Sequence, residues 1–265
     1  MARQKSQPTS HQRPSAVDHC PRTGTLYIVG TPIGSPDDLT IRAGTVLRQV
    51  SIVAAETPRA TQTLLTHHGI STRITSYGPG QYDEKITVLL HHLREGHDVA
   101  LVSDSGMPVV YDPGQLLIAA AQAAGCPVTV IPGPSALTAA VALSGYSGDR
   151  LLFHGRLPGT PRLLDKFFTT LKHESVTTVM FASPRSLASI LRSLDRILPE
   201  RQVTIAVNMT KKDEGLYQGR PRQLVGQVQS LSRESEVTVV LAGMQKNKTI
   251  KRSRKLDVTG RLGDG

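Results

Sequence analysis

The sequence predicts an α/β protein with two domains, and two features of the chain indicate this class. Short apolar segments alternate with longer segments that carry apolar residues on one helical face, which is typical of α/β domains. The alternation covers the first half of the 265-residue chain and is repeated in the second half. A chain of this length can bury a substantial core and form one or two domains.

Five short apolar segments in the first half are predicted strands: 25–29, 51–55, 73–77, 99–102 and 128–131. Five helices are predicted in the same half: 38–50, 59–67, 82–95, 115–124 and 136–143. Thr57 and Pro58 resemble a helix N-cap followed by proline at the first helical position, which favours a helix start there.

The second half repeats the pattern after a polar, glycine-containing boundary segment at 144–149. Its predicted strands are 151–154, 177–181, 203–207 and 237–241, and its predicted helices are 162–172, 184–198 and 222–231. The charged run Lys211-Lys212-Asp213-Glu214 indicates an exposed loop. We therefore expect an N-terminal domain at 23–135 and a C-terminal domain at 136–245.

The segment 99–108 is the centre of the first half. Val99 to Val102 form a buried strand, and the following Ser-Asp-Ser-Gly is typical of a tight turn. Asp104 and a flexible loop therefore follow the carboxyl end of a central strand, which is where ligands bind in open α/β sheets.

Three loops rich in glycine and proline follow predicted strands, at 30–36, 103–108 and 132–135. None matches the phosphate loop of nucleotide hydrolases or the glycine pattern of dinucleotide-binding folds, which argues against those two classes. Each loop taken alone fits a plain turn, but the three together predict the rim of one pocket.

The net charge of +10 lies mainly at the two ends of the chain. Residues 1–22 hold four cations against one acid, and 246–265 hold seven against two, so these ends carry eight of the ten charges. Both are poor in apolar residues and are predicted to be disordered tails. They fit non-specific RNA binding and a purely solubilising role equally well.

Other features indicate a cytoplasmic protein without a membrane span. No segment reaches the roughly 18 apolar residues that a membrane helix requires, and residues 1–22 lack the apolar core of a secretion signal. Cys20 and Cys126 do not have the spacing of a disulfide framework or a metal site, so no metal is predicted.

Six motifs together resemble the tetrapyrrole methylase superfamily. They are Leu-Tyr-Ile-Val-Gly-Thr-Pro-Ile-Gly at 26–34, Asp-Leu-Thr-Ile-Arg-Ala at 38–43, Ala-Ala-Glu at 54–56 with Arg59, Ala-Leu-Val-Ser-Asp-Ser-Gly-Met-Pro at 100–108, Asp-Pro-Gly at 112–114 and Ile-Pro-Gly-Pro-Ser-Ala at 131–136. Within the superfamily, the chain is most similar to the bacterial small-subunit ribosomal RNA 2′-O-ribose methyltransferases. The resemblance spans residues 24–245 and is strongest in the first half.

This resemblance implies two α/β domains of the class III methyltransferase type, with S-adenosylmethionine in the cleft between them. It also implies a homodimer and 16S rRNA or the 30S subunit as the substrate, with a cytidine ribose as the methyl acceptor. Carried over by position, the cofactor-binding residues are Pro32, Ile33, Asp104, Gly106, Met107, Pro134, Ser135, Ala136 and Ala182.

The chain departs from the usual family pattern where the substrate should bind. Residues 56–61 read Glu-Thr-Pro-Arg-Ala-Thr where the family usually has Glu-Asp-Thr-Arg-His-Thr, and the motifs at 103–108, 181–186 and 207–211 also differ. Two alternatives therefore stay open at the sequence level: a tetrapyrrole C-methyltransferase, and a cofactor-binding protein without turnover.

Methyl transfer to a ribose hydroxyl requires in-line positioning and removal of a proton. Glu56 is a candidate general base or orienting residue, although it can instead cap the helix that follows it. Arg59 is the candidate substrate-binding residue, since its guanidinium fits an RNA phosphate, with pairing to Glu56 as the alternative. Aromatic residues make up only 4% of the chain, so an extended base-stacking surface is not expected.

Overall fold

The computed structural model describes residues 23–80 and 82–244, which form two compact units. Within these residues the first unit comprises 23–29, 44–102 and 113–131. The second unit comprises 30–43, 103–112 and 132–244. If the chain were divided once, after residue 135, the segments 30–43, 103–112 and 132–135 would belong to the first unit. In the structure these segments pack with the second unit.

Two sequence predictions fall outside the described residues, namely the basic tails at 1–22 and 246–265. Among residues 23–80 and 82–244, no helix is both long and apolar enough to cross a membrane.

The first unit contains a parallel sheet of five strands in the order β3-β2-β4-β1-β5. The strands are β1 (Leu26–Val29), β2 (Ile52–Ala55), β3 (Ile74–Ser76), β4 (Val99–Val102) and β5 (Val128–Ile131). All four pairings are parallel, so the carboxyl ends of the strands lie at one edge of the sheet. β4 is the middle strand, as predicted.

Helices α1 (Ile41–Gln49), α2 (Pro58–His67), α3 (Tyr82–Arg94) and α4 (Gln115–Ala123) connect these strands. Thr57 is the N-cap of α2 and Pro58 its first residue, which confirms the predicted helix start. In the core of this unit, the Tyr77 hydroxyl accepts a hydrogen bond from the Leu117 amide at 3.2 Å. Burial raises the pKa of this hydroxyl above its ordinary value.

The second unit contains a mixed sheet of five strands in the order β6-β7-β10-β8-β9. The strands are β6 (Leu151–Arg156), β7 (Thr177–Ala182), β8 (Val203–Val207), β9 (Gly215–Gly219) and β10 (Val237–Leu241). β6 and β7 are parallel, and the other pairs are antiparallel.

Both faces of this second sheet are covered, which explains why β8 and β10 are buried along their whole length. Helices α6 (Pro161–Thr170) and α7 (Pro184–Ile197) pack on one face, where Ile205 and Val239 lie. Helix α5 (Ala136–Ser144) covers the other face, where Ala206 and Val240 lie. Side chains on a strand alternate between faces, so neighbouring residues enter different cores.

The predicted α/β class is confirmed, but one predicted element of the second half needs correction and one observed strand was not predicted. The helix predicted at 222–231 is limited to α8 (Pro221–Leu224), and turns follow it. Gly226 and a polar sequence weaken helix formation there. The sequence also gave no signal for β9, an edge strand with glycine at both ends that exists because it pairs with β8.

Candidate functional site

Three loops of the second unit meet through their backbones. The first (30–36) and second (103–108) are joined by two backbone hydrogen bonds. The Thr31 amide donates to the Gly106 carbonyl at 2.9 Å, and the Gly106 amide donates to the Thr31 carbonyl at 3.2 Å. The third loop (132–135) packs against the first, because a Cβ atom on Gly133 would lie only 2.8 Å from the Gly30 carbonyl oxygen. Only residues without a side chain fit at this contact.

These loops border two pockets, both formed entirely by the second unit. The first, which we name the Tyr111 pocket, has a volume of about 420 Å³. It is lined by residues of the second and third loops, of β6, β7 and α7, and of the segment 233–238, among them Gly106, Met107, Tyr111, Ser135, Ala136, Arg156, Phe181, Ala182, Arg233 and Glu236.

Tyr111 has an unusual backbone conformation, and its ring packs against the second sheet. Its φ is +70° and that of Val109 is +76°, in a region that bulky residues rarely adopt. The Tyr111 ring meets the Phe181 ring edge-to-face, with 6.1 Å between centroids. The ring also lies over Gly155, where a Cβ atom would come within 2.6 Å of it. Ring packing therefore sets one wall of the pocket.

The Tyr111 pocket combines apolar surface with charge. Two arginines, Arg156 and Arg233, are among its lining residues. Glu236 also lines it, but this carboxylate forms an ion pair with Lys211 at 3.0 Å. Ser183 caps α7 at the pocket by accepting a hydrogen bond from the Ser186 amide, which confirms the predicted start of this helix. Such a lining suits a ligand that has a flat apolar part and an anionic group.

The second pocket, which we name the Asp38 pocket, has a volume of about 540 Å³ and is more open to solvent. It is lined by Ile33, Asp38, Gly133, Pro134, Ser135, Thr138, Ala139, Ala142 and Thr210. Ser135 belongs to both linings, so the two pockets meet at this residue.

The segment 208–214, which we name the Asn208 loop, supports the Asp38 pocket through hydrogen bonds. Asn208 is buried, donates to Asp213 at 2.6 Å and accepts from the Glu236 amide at 2.8 Å. Thr210 accepts a bond from the Ser35 amide at 2.9 Å and thereby ties this loop to the first loop. Asn208 and Thr210 both have positive φ, at +50° and +65°.

Sequence reasoning missed this loop, because its charged residues indicated only an exposed turn. The available signal was Asn208 directly after a strand, since asparagine tolerates the left-handed conformation better than most residues.

Seven of the nine predicted cofactor residues are divided between the two pockets. Five line the Tyr111 pocket, namely Gly106, Met107, Ser135, Ala136 and Ala182. Ile33, Pro134 and again Ser135 line the Asp38 pocket. Pro32 is buried and Asp104 is exposed, and neither is among the lining residues of either pocket.

Glu56 and Arg59 lie in the first unit and line neither pocket. Glu56 follows the carboxyl end of β2 and is partly buried. Arg59 is exposed in the first turn of α2, next to the amino end of that helix.

Comparison with known proteins gives the class of this chain. Residues 25–225 match the family of tetrapyrrole (corrin/porphyrin) methylases. The structure of cobalt precorrin-4 methyltransferase has the same fold, with a TM-score of 0.63 at 18% identity over 82% of this chain and 94% of that one. Uroporphyrin-III C-methyltransferase from Thermus thermophilus, solved with S-adenosylhomocysteine, has a TM-score of 0.58 at 20% identity over 83% and 97%.

The chain belongs to the tetrapyrrole methylase family, and it is an S-adenosylmethionine-dependent methyltransferase. Within the family it is similar to the ribosomal RNA small subunit methyltransferase I of Thermotoga maritima, with 40% identity over 223 residues. That alignment covers 84% of this chain and 100% of the relative. The resemblance predicted from the sequence is therefore confirmed.

Proposed function

We propose that this protein methylates a ribose 2′-hydroxyl of 16S rRNA in the small ribosomal subunit, with a cytidine as the target. The observation that carries the proposal is the 40% identity to the Thermotoga maritima relative over that protein's whole length. The enzymes named for tetrapyrrole substrates match at only 18–22% identity, which supports a shared fold and not a shared substrate.

The Tyr111 pocket is the proposed cofactor site. Its volume lies within the roughly 300–1,000 Å³ of small-molecule pockets. Met107, Tyr111 and Phe181 offer apolar surface for the adenosine part, and the small residues Gly106 and Ala136 leave backbone groups accessible. The residues present therefore fit S-adenosylmethionine, which supplies an electrophilic methyl group on a sulfonium sulfur.

The protein's contribution to catalysis is positioning and proton removal. Holding the two reactants in line can supply effective molarities of about 10⁵–10⁸ M in well-oriented systems. Asp104 follows β4 in the second loop and remains a proposed cofactor-binding residue, as do Pro32, Ile33 and Pro134.

Glu56 and Arg59 remain proposed substrate-side residues. Both follow β2 at the carboxyl edge of the parallel sheet, and the amino end of α2 adds a partial positive charge beside Arg59. In this proposal Arg59 binds an RNA phosphate, and Glu56 orients it or accepts the hydroxyl proton.

Two further parts of the proposal concern the cellular setting. A ribosomal substrate implies that the enzyme acts in the cytoplasm, where the ribosomal subunits are. The resemblance of the sequence to the family implies that it forms a homodimer. Light scattering of the purified protein measures the second directly, since a monomer has half the expected mass.

Mass analysis of 16S rRNA from a strain that lacks the gene tests the function. The expected result is the loss of one ribose methyl group, which returns when the gene is restored or when 30S subunits are incubated with enzyme and cofactor. If the rRNA is unchanged, and purified enzyme transfers no methyl group to these subunits, the rRNA assignment is wrong.

A further inference from the structure

Ser135 lines both the Asp38 pocket and the Tyr111 pocket, and methyl transfer would give this shared residue a chemical meaning. In-line methyl transfer requires the acceptor oxygen at about 3–3.5 Å from the methyl carbon. If the methyl donor occupies the Tyr111 pocket, as proposed above, an acceptor in the Asp38 pocket has to approach it past Ser135, the residue that lines both.

The lining of the Asp38 pocket suits a nucleoside. Its volume of about 540 Å³ accommodates a base and a sugar, and Ala139 and Ala142 leave the pocket wide. The Thr210 hydroxyl already accepts a hydrogen bond from the Ser35 amide, so its own proton is available to a ligand oxygen. The Thr138 hydroxyl donates to the Ser135 carbonyl, so its lone pairs remain available to a ligand donor.

Among the residues that the structure describes, Asp38 is the one acidic residue in this lining, and no described Lys, Arg or His lines it. Its carboxylate forms no hydrogen bond or ion pair with another residue in the parts of the chain that the structure describes. The carboxylate of Glu236, by contrast, is paired with Lys211, and Asp104 and Asp112 each interact with other residues. The Asp38 carboxylate is therefore open to contact with a ligand.

The backbone holds Asp38 in place. Residues Pro36–Asp38 form one 3₁₀ turn, in which the Asp38 amide donates to the Ser35 carbonyl at 3.1 Å. Before this turn, Ile33 is 5% exposed and packs into the core beside α5. The Ser35 amide is bonded to Thr210, so the turn is tied to the Asn208 loop as well.

We infer that the Asp38 pocket binds the acceptor nucleoside and that the Asp38 carboxylate is the general base for its 2′-hydroxyl. The hydroxyl proton passes to Asp38, and an oxygen lone pair forms the new O–CH₃ bond. The S–CH₃ bonding pair stays on sulfur, which leaves as the neutral thioether of S-adenosylhomocysteine. Asp38 then releases the proton to solvent. This inference rests on the proposed function, and it names Asp38 in place of Glu56 as the base.

The first experiment compares Asp38→Asn with Asp37→Asn, a matched control one residue earlier in the same exposed turn that lines neither pocket. Single-turnover transfer to unmethylated 30S subunits should fall at least 100-fold in Asp38→Asn, as expected for a lost general base, and stay within 2-fold in the control. Calorimetric affinity for S-adenosylmethionine should be unchanged in both.

A pH profile separates a base from a merely structural residue. The Asp38→Asn rate should rise more steeply with pH than the wild-type rate, because hydroxide replaces the missing base. Glu56→Gln should keep the wild-type dependence on pH even where its rate falls. If Asp38→Asn keeps the wild-type rate, or if Glu56→Gln is the variant whose rate rises more steeply with pH, Asp38 is not the base.

The second experiment tests the pocket itself with Ala142→Phe, which fills it from an exposed position on α5. The KM for 30S subunits should rise at least 10-fold while cofactor affinity stays the same. Leu143→Phe, at the next exposed position and outside both linings, is the control and should leave the KM unchanged. An unchanged KM for Ala142→Phe would overturn the pocket assignment. A wild-type enzyme that methylates no 30S subunit would instead refute the proposed function.

Discussion

The Tyr111 pocket and the Asp38 pocket share Ser135 but are stabilised by different interactions. Ring packing sets the wall of the first, through the contacts of Tyr111 with Phe181 and Gly155. In the wall of the second, a hydrogen bond from the Ser35 amide holds Thr210. The first should therefore respond most to changes in volume, and the second to the loss of polar groups.

Gly133→Ala should have the largest effect, because it disturbs the loop contact that both pockets depend on. The new Cβ atom would lie 2.8 Å from the Gly30 carbonyl oxygen, and a backbone atom cannot rotate away as a side chain does. We expect a loss of about 3 kcal/mol in the free energy of unfolding, measured with urea, together with weaker cofactor binding. Equal stability of variant and wild type would show that the loops do not need this close contact.

Asn208→Ala should come next and act on both pockets, because the Asn208 loop carries Thr210 of the Asp38 pocket while Glu236 lines the Tyr111 pocket. The Glu236 amide and the Asp213 carboxylate lose their partner, and alanine is less stable than asparagine at positive φ. We expect about 2 kcal/mol of destabilisation, a higher KM for 30S subunits and weaker cofactor binding. An unchanged KM or an unchanged cofactor affinity would show that the Asn208 loop supports only one of the two pockets.

Gly155→Ala should act on the Tyr111 pocket alone. Alanine at a φ of +58° is strained by about 1 kcal/mol, and its Cβ atom would push against the Tyr111 ring at 2.6 Å. Calorimetry should show weaker binding of S-adenosylmethionine, with the KM for 30S subunits little changed at saturating cofactor. Gly159→Ala is the control, since a Cβ atom there meets nothing within 4 Å, and its affinity should match wild type.

Lys211→Met should have the smallest effect. Its ion pair with Glu236 spans 3.0 Å, but the two side chains are 32% and 56% exposed. Exposed pairs contribute about 0–1 kcal/mol, so urea denaturation should detect about 0.5 kcal/mol or less. A loss as large as that of Asn208→Ala would mean that this charge pair, and not the asparagine, holds the Asn208 loop.

The sequence by itself determined the fold class, most element positions and the family. Val99–Val102 and Val203–Val207 were predicted as strands with their observed bounds. The helix starts at Thr57-Pro58 and Ser183-Pro184 were predicted from their cap residues. These features are encoded within a few neighbouring residues, by apolar periodicity and by the geometry of proline and hydroxyl side chains.

Only the tertiary structure decided how the candidate site residues are grouped. The motifs placed nine residues around one cofactor, whereas the structure divides most of them between two adjoining pockets. The structure also places Asp38 and Thr210 in the lining of one pocket. No local sequence pattern connects them, since the Ser35–Thr210 hydrogen bond joins residues 175 positions apart. The edge strand β9 exists for the same reason, through pairing with β8. Contacts between distant segments form only when the cores are packed, so they cannot be predicted from the periodicity within one segment.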